Sequence, residues 1–387
     1  MSSLRPILGA AALAVMFVSQ PAGAACPAPA TWMAPGGATI EAPTLIAAMS
    51  RKQAVLLGEQ HDNEDHHRWQ LQVIAALHAQ RPDMVLGFEM FPRRVQPVLD
   101  RWVAGELSQQ QLLEQTGWSE VWSFPPALYM PMFEFARLNR IPMLALNIDR
   151  KLSRAVSTRG WDAVPPADRE GVGRPAPPSD AYRDYLLDIY RMHASHGKPS
   201  RGKPSAGDTG FRYFVESQQV WDRAMAEAIA VAARRGALLV GVMGGGHVRH
   251  GYGVPHQLRD LGIREIGTLL PLGPEESCER LAPGLADAVF AVPPAPAANA
   301  PEPPRLGVRL EETDTGVRIA EVSAGSLAER SGMRADDRLV EVGGRAVSRA
   351  RAVMDAVRQQ PAGTWLPVRV ARGEQLLDLV VRFPVRP

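Results

Sequence analysis

Four short runs of apolar residues constrain this chain more than any other feature. They are Ala54-Val55-Leu56-Leu57, Met84-Val85-Leu86-Gly87-Phe88, Pro142-Met143-Leu144-Ala145-Leu146 and Ala237-Leu238-Leu239-Val240-Gly241-Val242-Met243. A strand that is apolar on both faces has no side to turn to water. It fits a parallel sheet covered by helices above and below. The segments between the runs supply such helices. Trp69, Val73 and Leu77 recur at helical spacing from Asp65 to Ala79. Phe214, Trp221, Met225 and Ile229 do so from Phe211 to Arg235, with Gly236 as a stop signal. Alternating strands and helices predict an α/β fold with a mostly parallel sheet.

Each run ends in polar side chains. The first leads into Gly58-Glu59-Gln60-His61, the second into Glu89, the third into Asn147 and Asp149, and the fourth into Gly244-Gly245-Gly246-His247. Sites in open α/β sheets form at the carboxyl ends of strands. The pattern therefore brings His61, Glu89, Asn147 and His247 to one edge. Two histidines and a carboxylate, His61, Glu89 and His247, are the ingredients of a divalent metal site. They equally suit general acid–base catalysis. No HExxH, GxSxG, Walker A or dinucleotide fingerprint accompanies them.

Charge and length narrow the partners. The 387 residues carry 43 basic and 41 acidic side chains, a net charge of +2, which excludes the cationic field of a nucleic-acid binder. Residues 1–25 read as a signal peptide: Arg5, an apolar stretch from Ile7 to Val18, then Ala22-Gly23-Ala24 as a cleavage site. Export to a periplasmic or outer-membrane-associated location in a Gram-negative bacterium is the expectation. Cys26 follows the cleavage site and has two fates open to it, a lipid anchor or a disulfide with Cys278, the other cysteine of the chain. A Pro/Ala-rich linker at 293–304 separates a large domain, 27–292, from a small one, 305–387.

The large domain resembles the ChaN-like family. The matching segments are Leu57-Gly58-Glu59-Gln60-His61-Asp62-Asn63 with His67 and Gln70, Gly87-Phe88-Glu89-Met90-Phe91, Trp118 to Tyr129 followed by Pro131, Phe133 and Glu134, Trp221-Asp222-x-x-Met225-Ala226, and Gly245-x-His247. The resemblance spans nearly all of 45–292. It implies a bacterial haem-binding protein of iron uptake, in a superfamily that also holds Tiki/TraB-type metal-dependent proteases and erythromycin esterases. The family role of a tyrosine iron ligand falls on Tyr129, which stands among Trp118, Trp122, Phe124 and Phe133. Arg93 and Arg94 are then propionate partners, His61 and His67 are further haem-site residues, and His193 and His196 lie in a segment able to approach an open haem face. A haem shared within a homodimer is a further expectation.

The small domain resembles a PDZ domain of the bacterial envelope-protease type. Leu306-Gly307-Val308, Val317 to Val322, Ser323-Ala324-Gly325-Ser326, Gly332-Met333 and Asp337 to Gly344 follow that pattern, except that Asp336 stands where the family has glycine. The resemblance implies capture of an extended peptide or protein C-terminus, with Leu306, Gly307 and Val308 as one wall and Val353 and Val357 as the other. Two functions follow. One is an exported haem-binding protein with a peptide-binding module. The other is a metal-dependent hydrolase at His61, Glu89 and His247 whose PDZ domain presents substrate.

Overall fold

A computed structural model describes residues 26–196, 205–274, 276, 278, 281–293 and 304–385. The expected signal peptide and most of the expected linker lie outside these residues. Chain contacts divide the molecule into two units, Met1–Pro294 and Ala295–Pro387.

The first unit is built on an eight-stranded sheet. Its strands are β1 (Trp32–Met33), β2 (Thr39–Ile40), β3 (Ala54–Glu59), β4 (Met84–Pro92), β5 (Met143–Asn147), β6 (Leu238–Gly244), β7 (Ile266–Leu272) and β8 (Ala288–Ala291). The order across the sheet is β2-β1-β8-β7-β3-β6-β4-β5. Strands β3 to β8 pair in parallel, and β1 lies antiparallel between β8 and the edge strand β2. The sheet is thus mostly parallel, as the buried runs require. Strands β1, β2, β7 and β8 extend it beyond the four runs read from the sequence.

Strand β3 shows why the runs are apolar throughout. Val55 and Leu57 pack with Trp69, Val73 and Leu77 on one face, and Ala54 and Leu56 pack with Met225 and Ile229 on the other. Those partners come from the helices Glu64–Gln80 and Thr209–Ala233. Asn63 starts the first of these helices, its Oδ1 accepting from the Asp65 and His66 N–H groups at 3.0 and 3.2 Å. That cap sets His66 and His67 in the first turn, beside the end of β3.

Cys26 and Cys278 form a disulfide, with Cα atoms 5.4 Å apart across 252 residues of sequence. A sulfur bonded in this way has no valence for a lipid, so the lipid-anchor alternative for Cys26 is corrected. Among the described residues, no helix is long and apolar enough to cross a membrane.

The second unit is a six-stranded antiparallel sheet: β9 (Val308–Thr313), β10 (Gly316–Val322), β11 (Arg338–Val342), β12 (Arg345–Ala346), β13 (Trp365–Arg372) and β14 (Gln375–Arg382). Val317, Ile319, Leu339 and Val370 form its core with Val353 and Val357 of the helix Ala350–Arg358. Strand β9 lies at an edge of the sheet. Asp336 adopts φ 70°, which explains why glycine is the usual residue there.

Candidate functional site

Adjacent strands β3, β6 and β4 bring three chain segments to one edge. Glu59 lies level with Gly244, and Phe88 with Val242. Glu59 collects three partners there. The Tyr129 hydroxyl donates to its Oε1 at 2.9 Å, and His61 Nδ1 meets the same oxygen at 2.7 Å. His67 Nδ1 forms an ion pair with Oε2 at 3.2 Å. A carboxylate only accepts, so His61 carries its proton on Nδ1 and leaves Nε2 open. His67 donates from Nε2 to the His61 carbonyl at 3.1 Å, so both its nitrogens face acceptors, and the Glu59 bond and charge raise its pKa against the effect of burial. Burial pushes the Glu59 carboxyl up, but the bonds from His61 and His67 outweigh it and hold the pKa at about 2. Burial alone would lower His61, yet the Glu59 bond and the Glu89 charge raise it above the ordinary imidazole value.

A second set of groups faces the first. Glu89 is buried, and its Oε2 accepts the Gly244 N–H at 2.6 Å. His247 holds Nε2 3.5 Å from Glu89 Oε1 and Nδ1 2.6 Å from Asp222 Oδ1. The Tyr182 hydroxyl donates to Asp222 Oδ2 at 2.7 Å. Burial disfavours the His247 cation, but the Glu89 charge and the Asp222 bond dominate and raise its pKa to about 10. Gly244 leaves the room this needs: a Cβ there would stand 3.0 Å from His61 Cε1. A cavity of about 300 Å³ opens nearby, lined by Met90, Trp122, Asn147, Trp221, Arg94 and Arg150 among others.

The structure therefore joins His61, His67, Glu89 and His247, and adds Glu59, Asp222 and Tyr182, to which sequence reasoning assigned no role. Glu59 and Asp222 were visible as parts of matching motifs; nothing local marked Tyr182. Asn147 serves the backbone, donating to the Glu89 carbonyl at 2.7 Å, and Asp149 caps the helix Arg150–Arg159. Tyr129, expected as the iron ligand, has its hydroxyl on Glu59 in this structure. Its side chain is buried at 0% exposure, and burial together with the Glu59 charge drives its phenol well above the ordinary value. Arg93, expected as a propionate partner, donates to the Ala224 and Glu170 carbonyls at 2.7 and 3.1 Å. Arg94 reaches the cavity while bonded to Asp149 at 2.9 Å. Among the described residues, no group of three or more His, Cys, Asp or Glu is arranged to hold a metal ion. His61, Glu89 and His247, expected as divalent-metal ligands, form no such group here. The side chains of His193 and His196 fall outside the described residues.

In the second unit, a groove of about 630 Å³ runs between β9 and the helix Ala350–Arg358. Leu306, Gly307, Val308, Val353 and Val357 all line it, as expected. Gly307 has φ 78°, and a Cβ there would lie 2.4 Å from Ser326 Cβ. The carbonyls of Leu306 and Gly307 accept from Ala328 and Ser323 at 3.0 and 2.9 Å, fixing the loop.

A family model described as haem-binding uptake, Tiki superfamily, ChaN matches residues 45–258, over half the chain. The chain belongs to this ChaN family. A PDZ domain model matches residues 304–382. Among solved structures, one described as cofacial heme binding to ChaN of Campylobacter jejuni aligns with a TM-score of 0.51 at 18% identity, covering 67% of this chain and 95% of that one. At that identity the likeness is one of fold. A serine endoprotease from Yersinia pestis aligns at 22% identity over 21% of this chain and 29% of its own, with a TM-score of 0.19. A search of the curated proteins found no match.

Proposed function

We propose that this ChaN chain is an exported haem-binding protein of iron uptake whose PDZ unit captures an extended peptide. The family match across residues 45–258 carries the haem reading. The strand-end cavity combines the apolar Met90, Trp122 and Trp221 with Arg94 and Arg150, and haem needs apolar walls and cations for its carboxylates. Haem would supply iron as cargo. The chain's own residues would bind and orient it. Export is supported by the apolar stretch at Ile7–Val18 and by the Cys26–Cys278 bond, which suits an oxidising compartment. Peptide capture is supported by the aliphatic groove beside the edge strand β9, to which an extended chain adds as a further strand.

One observation favours a second reading, acid–base hydrolysis. Glu89 Oε1 is buried without a hydrogen bond among the described residues, and His61 leaves Nε2 open nearby. A water there would meet a base held by Glu59. Titration of ferric haem into the full chain, followed by absorption, tests the first reading. Saturable uptake with a shifted Soret band is the expected result. A chain that takes up no haem, yet cleaves an ester probe and loses that activity in His61→Ala, belongs to the second.

A further inference from the structure

Strand β14 ends the second sheet at the edge opposite β9. Among the described residues it pairs only with β13, along all eight of its residues. An unpaired edge of that length invites another strand, so proteins blunt such edges with lysine, proline or a covering element. The run Gln375-Leu376-Leu377-Asp378-Leu379-Val380-Val381-Arg382 contains neither lysine nor proline. The surface beside it is apolar as well. Leu376 is 64% exposed and Val380 44%, Trp365 of β13 is 66% exposed, and Val385 just beyond the strand 79%. These four are half of the large exposed hydrophobic side chains among the described residues.

The hairpin fixes which backbone groups this edge offers. Arg372 lies opposite Gln375 across the two-residue turn Gly373-Glu374, so that pair is hydrogen-bonded, and so is every second pair beyond it. Pro367, which has no N–H, stands opposite Val380 in one of the pairs between. Leu376, Asp378, Val380 and Arg382 therefore turn their N–H and C=O groups outward. The charges among these residues are spaced for a second copy of the strand. An antiparallel copy centred on Val380 sets Asp378 opposite Arg382 twice over and Val380 opposite itself. A copy centred on Asp378 sets two carboxylates opposite each other instead. Both charges are placed to take up the first arrangement. Asp378 is exposed and bonded to Arg369 at 2.7 Å, while Arg382 lies over the Trp365 ring at 5.1 Å and has no ion pair among the described residues.

We propose that two copies of the chain join along β14, antiparallel and centred on Val380, into one continuous sheet. A two-fold contact of this kind occupies the edge and stops at the dimer. It satisfies the outward N–H and C=O groups of Asp378, Val380 and Arg382, and it brings Val380 of each copy together. Strand β9 lies at the other end of the strand order, so the groove of each copy stays open. The proposal stands independently of the haem and peptide readings.

Sedimentation equilibrium of the full chain across a concentration series tests this contact. The wild type should follow a monomer–dimer equilibrium. Asp378→Arg and Arg382→Asp should each weaken the dimer by about tenfold or more, since each sets like charges opposite one another twice. The double variant Asp378→Arg with Arg382→Asp restores opposite charges and should regain the dimer. Val380→Lys should leave a monomer, because it meets its own copy at the centre of the contact. All three positions are exposed, so the PDZ unit should keep its melting transition, and Val380→Lys carries the test if a charge reversal fails to fold. A wild-type chain that is monomeric at every concentration overturns the proposal. So does a dimer that the single variants leave unchanged, a double variant no stronger than the singles, or an assembly that grows beyond two.

Discussion

Glu59 ties three side chains of the strand-end site together. It is buried, and it faces two histidines and a phenol at once. Removing its charge leaves the His61 and His67 rings without their carboxylate, so Glu59→Gln should cost about 3 kcal/mol in urea denaturation followed by tryptophan fluorescence. The pH profile has a defined sign. Glu59 is lowered from 4.5 to about 2, so its contribution is present above pH 4.5 and is lost as pH falls towards 2. His247 is raised from 6.5 to about 10, so its contribution is present below pH 6.5 and is lost as pH rises through 10. Stability should therefore peak between these limits. Glu59→Gln should flatten the acid side and Asp222→Asn the alkaline side; unchanged limbs would contradict the account. The positions of His61, Glu89 and His247 were legible because strand ends converge by topology. The role of Tyr129 was not. An aromatic-rich segment reads alike whether its hydroxyl faces solvent or a buried carboxylate 70 residues away in sequence.

At the level of elements, the same distinction holds. Strands β3, β4, β5 and β6 were legible because burial on both faces leaves an unbroken apolar run. Strand β7 carries Pro271 within its run, and β8 is only Ala288–Ala291, so neither stands out from surrounding loop sequence. The helix Thr209–Ala233 begins two residues before the periodic reading and ends two before it, the usual uncertainty of a fraying end. In the PDZ unit the loop before β9 was readable to the residue, since Gly307 meets both a left-handed φ and a crowded Cβ position. Gly307→Ala should lower the stability of that unit by about 1–3 kcal/mol, seen as an earlier melting transition, and should weaken peptide binding. A melting curve identical to wild type would show that the loop yields.

Each unit has buried clusters of its own, and both cysteines of the chain lie in the larger unit. Heating should resolve two transitions. Reduction should lower that of the α/β unit alone, because opening a loop of 252 residues restores chain entropy worth at most about 5 kcal/mol. Movement of both transitions under reductant would mean that the units melt together.

The join that makes the larger unit a closed object has a consequence in time. Strand β1 pairs with β8, and Cys26 bonds Cys278, so the earliest described residues are completed by the latest of that unit. A ribosome delivers the first of these partners long before the second. Until about residue 291 has emerged, the edge of the sheet stays unpaired and Cys26 keeps a free thiol, open to capture by whatever oxidant or chaperone the nascent chain meets first.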